Sequence, residues 1–394
     1  MPIQTHDYLI NEIQTTLADN VIGKITPSLH RQLETDIIDT MFSTQASSVW
    51  NNIRKAKTSS YTVATTDIGV TFALSTGGQT LTFGLANTYP TNFITTIVNE
   101  DTARAWFIVV PGQVSFFLYP NQVAIIFQQG TAWRILKNNR WKLQNNLTLY
   151  VSTTGNDAND GLDVSAPFAT IQKAYNTIAF NIDLSGFAAT IQLADGTYTA
   201  GLNTIAPPIN EGLVILQGNA STPSNTVISI TNNNAILVSG AGITVEVLNL
   251  KITTSGFGDC IVVGSNAVCN WGNIIFDACA SQHVECFNYG QANCIGNYSI
   301  TGSAVSHLHC YQFGFINVGA FTVTITGTPA FSGFFAGVAG AQIAIVGTTF
   351  SGSATGARYL AHDLGWIYTN GGGSTYLPGN SGGTADGTTF GIYS

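Results

Sequence analysis

The residues able to do chemistry are few, and they crowd into one part of the chain. Between Asp259 and Cys310 lie Asp259, His283, Glu285, His307 and His309, together with all six cysteines. Successive side chains of a strand point to opposite faces, so His283 and Glu285, two residues apart, share one. With Ile261, Cys286 and Tyr311 turned inward, Cys260, Glu285 and Cys310 turn outward, and Asp259 and His309 face inward or sit at a corner. His283 and Glu285 are then the best acid–base pair in the chain. Glycan hydrolysis needs two carboxylates within a sugar width, one of them protonated. β-Elimination needs a base and a cationic group or metal to steady a uronate carboxylate. Carboxylates paired on neighbouring stretches are missing, and Lys251 and Arg358 are the only basic residues after position 200 other than histidine. Surface or subunit-contact roles therefore fit His283 and Glu285 better than catalysis, and a uronate lyase is not expected.

Other constellations fall short of a site. His307-Leu308-His309-Cys310 gathers three ligand types, but no Cys-x-x-Cys or second cluster accompanies it, so no metal and no cofactor is expected. Asp157, Asp160 and Asp163 miss the spacing of a calcium loop and read as turn formers. There is no Gly-x-Ser-x-Gly elbow and no phosphate-binding glycine loop. Trp106, Trp133 and Trp141 could stack on sugar rings, but burial in a core is the better reading for large aromatics.

These residues are positioned by a repeat. Counting from Ile243 in steps of 25 reaches Val268, Asn293, Val318 and Ile343. Seven places on, the same count gives Leu250, Ile275, Ile300, Ile325 and Phe350, an apolar column without exception. Short runs rich in Val, Ile, Thr and Asn, broken by Gly, Asn and Ser, separate the columns, and none has the length or period of a helix. Self-similarity of this kind predicts a solenoid, with one turn of a parallel β-helix as its unit. Cys269 and Cys294 lie one block apart and Cys260 and Cys310 two, which reads as small fillers in a ladder made in a reducing compartment.

Only 9% of residues are charged, unevenly placed: residues 1–142 carry a net +1 and residues 143–394 a net −9. The long acidic part offers phosphate backbones almost no basic contact, which excludes nucleic-acid binding. No stretch is apolar enough to span a membrane, and Met1 to Asn20 lacks the pattern of a signal peptide. Residues 1–57 predict two short helices, the second opening at Thr26-Pro27-Ser28 with a stripe of Leu29, Leu33, Ile37, Ile38 and Met41. Residues 58–145 hold seven β-runs between turn signals and predict a small antiparallel β-domain. Residues 146–370 make the β-helix, and 371–394 a Gly/Thr-rich tail.

At Tyr150 the sequence resembles a known family. Tyr150-Val151-Ser152-Thr153-Thr154-Gly155-Asn156-Asp157, Asn159-Asp160-Gly161 and Ala166-Pro167-Phe168-Ala169-Thr170-Ile171 resemble the opening of pectin-lyase-like right-handed β-helix proteins. Ala189-Thr190-Ile191-Gln192-Leu193-Ala194-Asp195-Gly196-Thr197-Tyr198 is similar to their first rung. In that setting Pro167 to Ile178 would be a helix capping the open end of the coil. The whole layout resembles a bacteriophage tail fibre or tailspike. Ile25-Thr26-Pro27-Ser28-Leu29-His30-Arg31 is similar to a segment near the start of such fibres, and Leu377-Pro378-Gly379-Asn380-Ser381 to their end. The resemblance implies a homotrimer on a virion, made in the host cytoplasm and attached to a tail or baseplate protein through its N-terminal region. It would bind a host surface polysaccharide, the alternative being an endo-acting polysaccharide depolymerase, hydrolase or lyase, on the same scaffold.

Overall fold

The computed structural model describes residues 53–137 and 140–394. It forms two compact units that divide between Asn138 and Asn139. The two predicted helices lie outside the described residues. The end of that segment is a strand instead: Arg54–Lys57 runs parallel to Thr71–Leu74. Its basic side chains are tied down locally, Arg54 by Glu100 and Lys55 by the buried Asp67 at 2.5 Å.

All seven predicted β-runs of the first unit are strands, and they build two sheets. One has the order Arg54–Lys57, Thr71–Leu74, Ile94–Asn99, Val123–Gln129, Ala132–Lys137. Its first two pairings are parallel and its last two antiparallel. The other joins Tyr61–Thr62, Thr80–Thr82 and Trp106–Val109 in parallel, then Phe116–Leu118 antiparallel. The last pair is an antiparallel hairpin because only Gly130 and Thr131 join Val123–Gln129 to Ala132–Lys137. Trp106 and Trp133 are buried, and Trp133 donates its Nε1 hydrogen to the Gly84 carbonyl among Phe83, Tyr89 and Phe93.

The second unit is a parallel β-solenoid with three long sheets, and Trp141–Lys142 pairs with Ile182–Asp183 in a two-stranded one. Ten strands make one face, from Leu147–Val151 to Ile392–Tyr393. Seven make the next, from Gly196–Tyr198 to Thr349–Ser351, and eight the third, from Leu202–Asn203 to Thr384–Ala385. Every pairing within these faces is parallel, rung on rung. One apolar core fills the coil throughout.

The end of the coil is closed by helix α1 (Ile171–Asn181), which turns Ile171, Ala174, Tyr175, Ile178 and Ala179 onto the core. It starts later than the predicted Pro167, because Phe168 bridges to Val151 as extended chain. Thr170 caps it, accepting from the Lys173 amide, and Asp157 in turn accepts from the Ala169 and Thr170 amides and the Thr170 hydroxyl. Asp160 and Asp163 likewise bind amides two residues on, the work of turn formers. The Gly/Thr-rich tail does not stand apart: Thr384–Ala385 and Ile392–Tyr393 add strands to the solenoid, and Tyr393 stacks on Tyr359 with centroids 3.8 Å apart.

The rung length is about 25 residues but not constant, and this changes which residues stack. The apolar column is Ile228, Ile252, Phe276, Ile300 and Ile325, rising in steps of 24 until the last. Only Ile300 and Ile325 of the predicted column pair directly. Ile275 pairs with Lys251 and Ser299 and faces outward. One residue of slip turns a strand residue to the other face, so a count of 25 across rungs of 24 swaps inside for outside. The cysteines are corrected in the same way. Cys286 stacks on Cys310, whereas Cys269 faces Ala292 and Cys294 faces Trp271. All six are free and buried.

Candidate functional site

His283 and Glu285 do not share a face. On the eight-strand face, Ile261, Val284, Leu308 and Ala336 form an inward ladder, and so do Val263, Cys286, Cys310 and Val338. Between them runs the outward ladder Leu237, Val262, Glu285, His309, Gly337 and Leu360. Glu285 is therefore outside as expected, but its neighbour in register is His309, which the 25-residue count had placed inward or at a corner. His283 is fully buried among Phe276, His307 and Phe331. Strict alternation fails because the strand Gln282–Cys286 starts at a corner, where both His283 and Val284 are buried.

The outward group comprises Glu285, His309 and Tyr311, and the buried Asp259, just before the strand Ile261–Gly264, lies beside it. Glu285 Oε1 lies 3.6 Å from His309 Nδ1, an ion-pair separation longer than a hydrogen bond, and Nδ1 has no hydrogen-bond partner among the described residues. Asp259 accepts from the Gln282 amide at 2.7 Å, and the Glu285 carboxyl lies near enough to act on it. Burial, and next the Glu285 charge, raise the Asp259 pKa to about 7, so near neutrality Asp259 is about half protonated. Burial and Glu285 also push the Tyr311 phenol up to about 12. Two carboxyls from neighbouring rungs, Asp259 and Glu285, thus come together. A step of 24 from Glu285 would have found His309 as its register neighbour, whereas Asp259 precedes its strand and no register step reaches it.

Aromatic rings wall this group. Phe287 stacks on Tyr311 with centroids 5.3 Å apart and planes 10° from parallel, and Tyr311 and Phe334 both flank the His309 ring. Gly337 makes room for Phe334: a Cβ there would come within 2.0 Å of that ring. At the next corner Tyr289 and Phe313 stack 5.2 Å apart, and both are largely exposed. They hold left-handed backbone, with φ of 61° and 63°, so each ring projects from a tight turn that a following glycine completes.

A second surface lies on the ten-strand face. Glu246, Asn270, Asn293 and Asn317 stack in register, with Asn293 Nδ2 donating to Asn270 Oδ1 at 3.0 Å and Asn270 Nδ2 reaching Glu246 Oε1 at 3.4 Å. The neighbouring outward column passes through Gln291, Phe315, Gln342 and Trp366, and Trp366 lies 5.1 Å from Tyr368. Amide hydrogens and carbonyls beside aromatic rings suit sugar hydroxyls and the apolar faces of pyranose rings. Among the described residues no group of three or more His, Cys, Asp or Glu is arranged to hold a metal ion. His307 and His309, two residues apart in the sequence motif, point to opposite sides of the wall. Compared with family models, with curated proteins and with solved structures, the chain matches none.

Proposed function

We propose that the chain is a subunit of a virion tail fibre or tailspike that binds a host cell-surface glycan during adsorption. In this reading it is a homotrimer, made in the host cytoplasm and joined to a tail or baseplate protein through its N-terminal region. The observation that carries the binding role is the amide ladder Asn270–Asn293–Asn317 beside Phe315, Trp366 and Tyr368. Neutral hydrogen-bonding groups in fixed register, with rings alongside, recognise hydroxyl-rich chains without charge. The rigid wall also suits the purpose. Its polar groups are held by parallel pairing, so little side-chain entropy is lost when a ligand is bound. Measuring the binding of the full chain to a panel of bacterial capsular and lipopolysaccharide preparations tests the reading. Saturable binding to at least one, weakened by Asn293→Ala, is expected; binding to none would remove it.

A second reading is favoured by one specific observation. Asp259 stays partly protonated near neutrality beside Glu285 and His309, and a protonated carboxyl is what glycan hydrolysis requires of its acid. This is the polysaccharide depolymerase alternative, in its hydrolase form. Incubating the same preparations with the protein and assaying new reducing ends separates the two: release at catalytic rates makes the chain an enzyme, and binding without release leaves it an adhesin.

A further inference from the structure

Inside the solenoid, three polar side chains form a single file of hydrogen bonds through an apolar core. The Tyr298 hydroxyl lies 2.8 Å from His307 Nε2, His307 Nδ1 lies 3.2 Å from His283 Nδ1, and His283 Nε2 lies 3.0 Å from the Asp277 carbonyl oxygen. Both imidazoles are fully buried, with Phe276, Phe331 and Phe335 around them. The chemistry of each atom assigns every proton. A carbonyl only accepts, so His283 carries its hydrogen on Nε2 and accepts on Nδ1. His307 must then donate from Nδ1, which leaves its Nε2 to accept from the Tyr298 hydroxyl. The file runs Tyr298 to His307 to His283 to Asp277, and it has no place for another proton. A charged His283 would set N–H against N–H at the 3.2 Å contact. A charged His307 would turn a second N–H toward Tyr298 and strand the hydroxyl hydrogen in the core.

We propose that this file is an acid-release latch: a proton taken up by His283 or His307 opens the rungs that carry them while the rungs further along stay closed. Burial holds His283 at about 4, and burial together with the neighbouring His283 holds His307 well below its ordinary value. In the opened rungs both rings return to about 6.5. The open form therefore binds more protons than the closed one between about pH 6.5 and 4. The closed form is fully stable above that window and loses stability as pH falls through it. Across the window His283 alone raises the opening equilibrium about 300-fold, and His307 adds in the same direction.

The groups around the file do not cancel this. The Asp277 carboxylate favours a charged His283, but it is itself held by Lys251 at 3.0 Å. Tyr298, and Cys260 on the preceding rung, are pushed well above their usual values by burial and stay neutral throughout. The same two strands carry Glu285 and His309 outward, two residues beyond His283 and His307. Opening the latch therefore takes apart the outward group as well.

Hydrogen exchange followed strand by strand on the full chain, from pH 7 to pH 3.5 and corrected for intrinsic rates, tests the latch. Expected is loss of protection in Gln282–Cys286 and Ala304–Tyr311 below about pH 5, with Val214–Gln217 and Gln342–Ile345 still protected. The double variant His283→Gln, His307→Gln keeps a donor and an acceptor at each position without the titration. It is expected to lower opening of these strands at pH 4.5 at least about tenfold relative to the native chain. Simultaneous loss of protection along the whole solenoid, or an unchanged midpoint in the double variant, would overturn the proposal. Imidazole nitrogen resonances of the native chain provide a check that needs no variant. They should show hydrogen on Nε2 of His283 and Nδ1 of His307 at pH 7, and a folded chain with both rings charged at pH 5 would refute the latch.

Discussion

Glu285 and His309 are register partners on adjacent rungs, with Oε1 3.6 Å from Nδ1, and both turn outward from the solenoid. The buried Asp259 lies beside them and is partly protonated near neutrality. If the group hydrolyses a glycan, Asp259→Asn should cut the release of reducing ends at least about 100-fold and leave the melting temperature within a few degrees. Activity of the native chain should fall as pH rises past about 7, because the acid form of Asp259 is then lost. A reducing-end assay from pH 5 to 9 measures both. Undiminished release by the variant would dismiss the group as the catalyst.

Register can be read out by two neighbouring substitutions. Phe276 is fully buried between Ile252 and Ile300, and Phe276→Ala should cost about 3–5 kcal/mol through the cavity it leaves. Ile275 faces outward, and Ile275→Ala should cost about 1 kcal/mol or less. Urea unfolding of both variants decides between the 24- and 25-residue columns, since the latter reverses the order.

In the first unit, Asp67 is buried and accepts from Lys55, the Tyr61 hydroxyl at 2.9 Å and the Ala64 amide at 2.8 Å. Burial acts to raise its pKa, but the Lys55, Ala64 and Tyr61 hydrogen bonds outweigh it and hold the carboxyl below its ordinary value. Its contribution is therefore present above about pH 4 and lost as pH falls below that. Asp67→Ala should destabilise this unit by about 2 kcal/mol, a buried-pair loss reduced because Lys55 is partly solvated. Part of the acid-induced loss of stability below pH 4 should vanish in the same variant, which chemical denaturation at pH 3 and pH 7 compares.

Trp366→Ala and Asn293→Ala, on the ten-strand face, should each weaken glycan binding about tenfold, the worth of one stacking contact or hydrogen bond. Titration calorimetry against the tightest-binding saccharide measures this. Equal loss from Glu285→Gln would move the binding surface to the eight-strand face instead.

The solenoid was legible in the linear chain because parallel stacking requires apolar residues to recur at nearly one rung length, as Ile228, Ile252, Phe276 and Ile300 do. The strands of the first unit were legible too, from local alternation and turn residues, and the capping helix from the resemblance around Pro167. The parity of each position was not. A pleat changes face with every residue, so an error of one per rung, or a corner such as the one before Val284, sends His283 into the core and brings His309 out beside Glu285. Composition alone determined that neutral polar groups would dominate the outer walls. Only the three-dimensional register decided which histidines meet in the dry interior, and which of them reaches a carboxylate facing water.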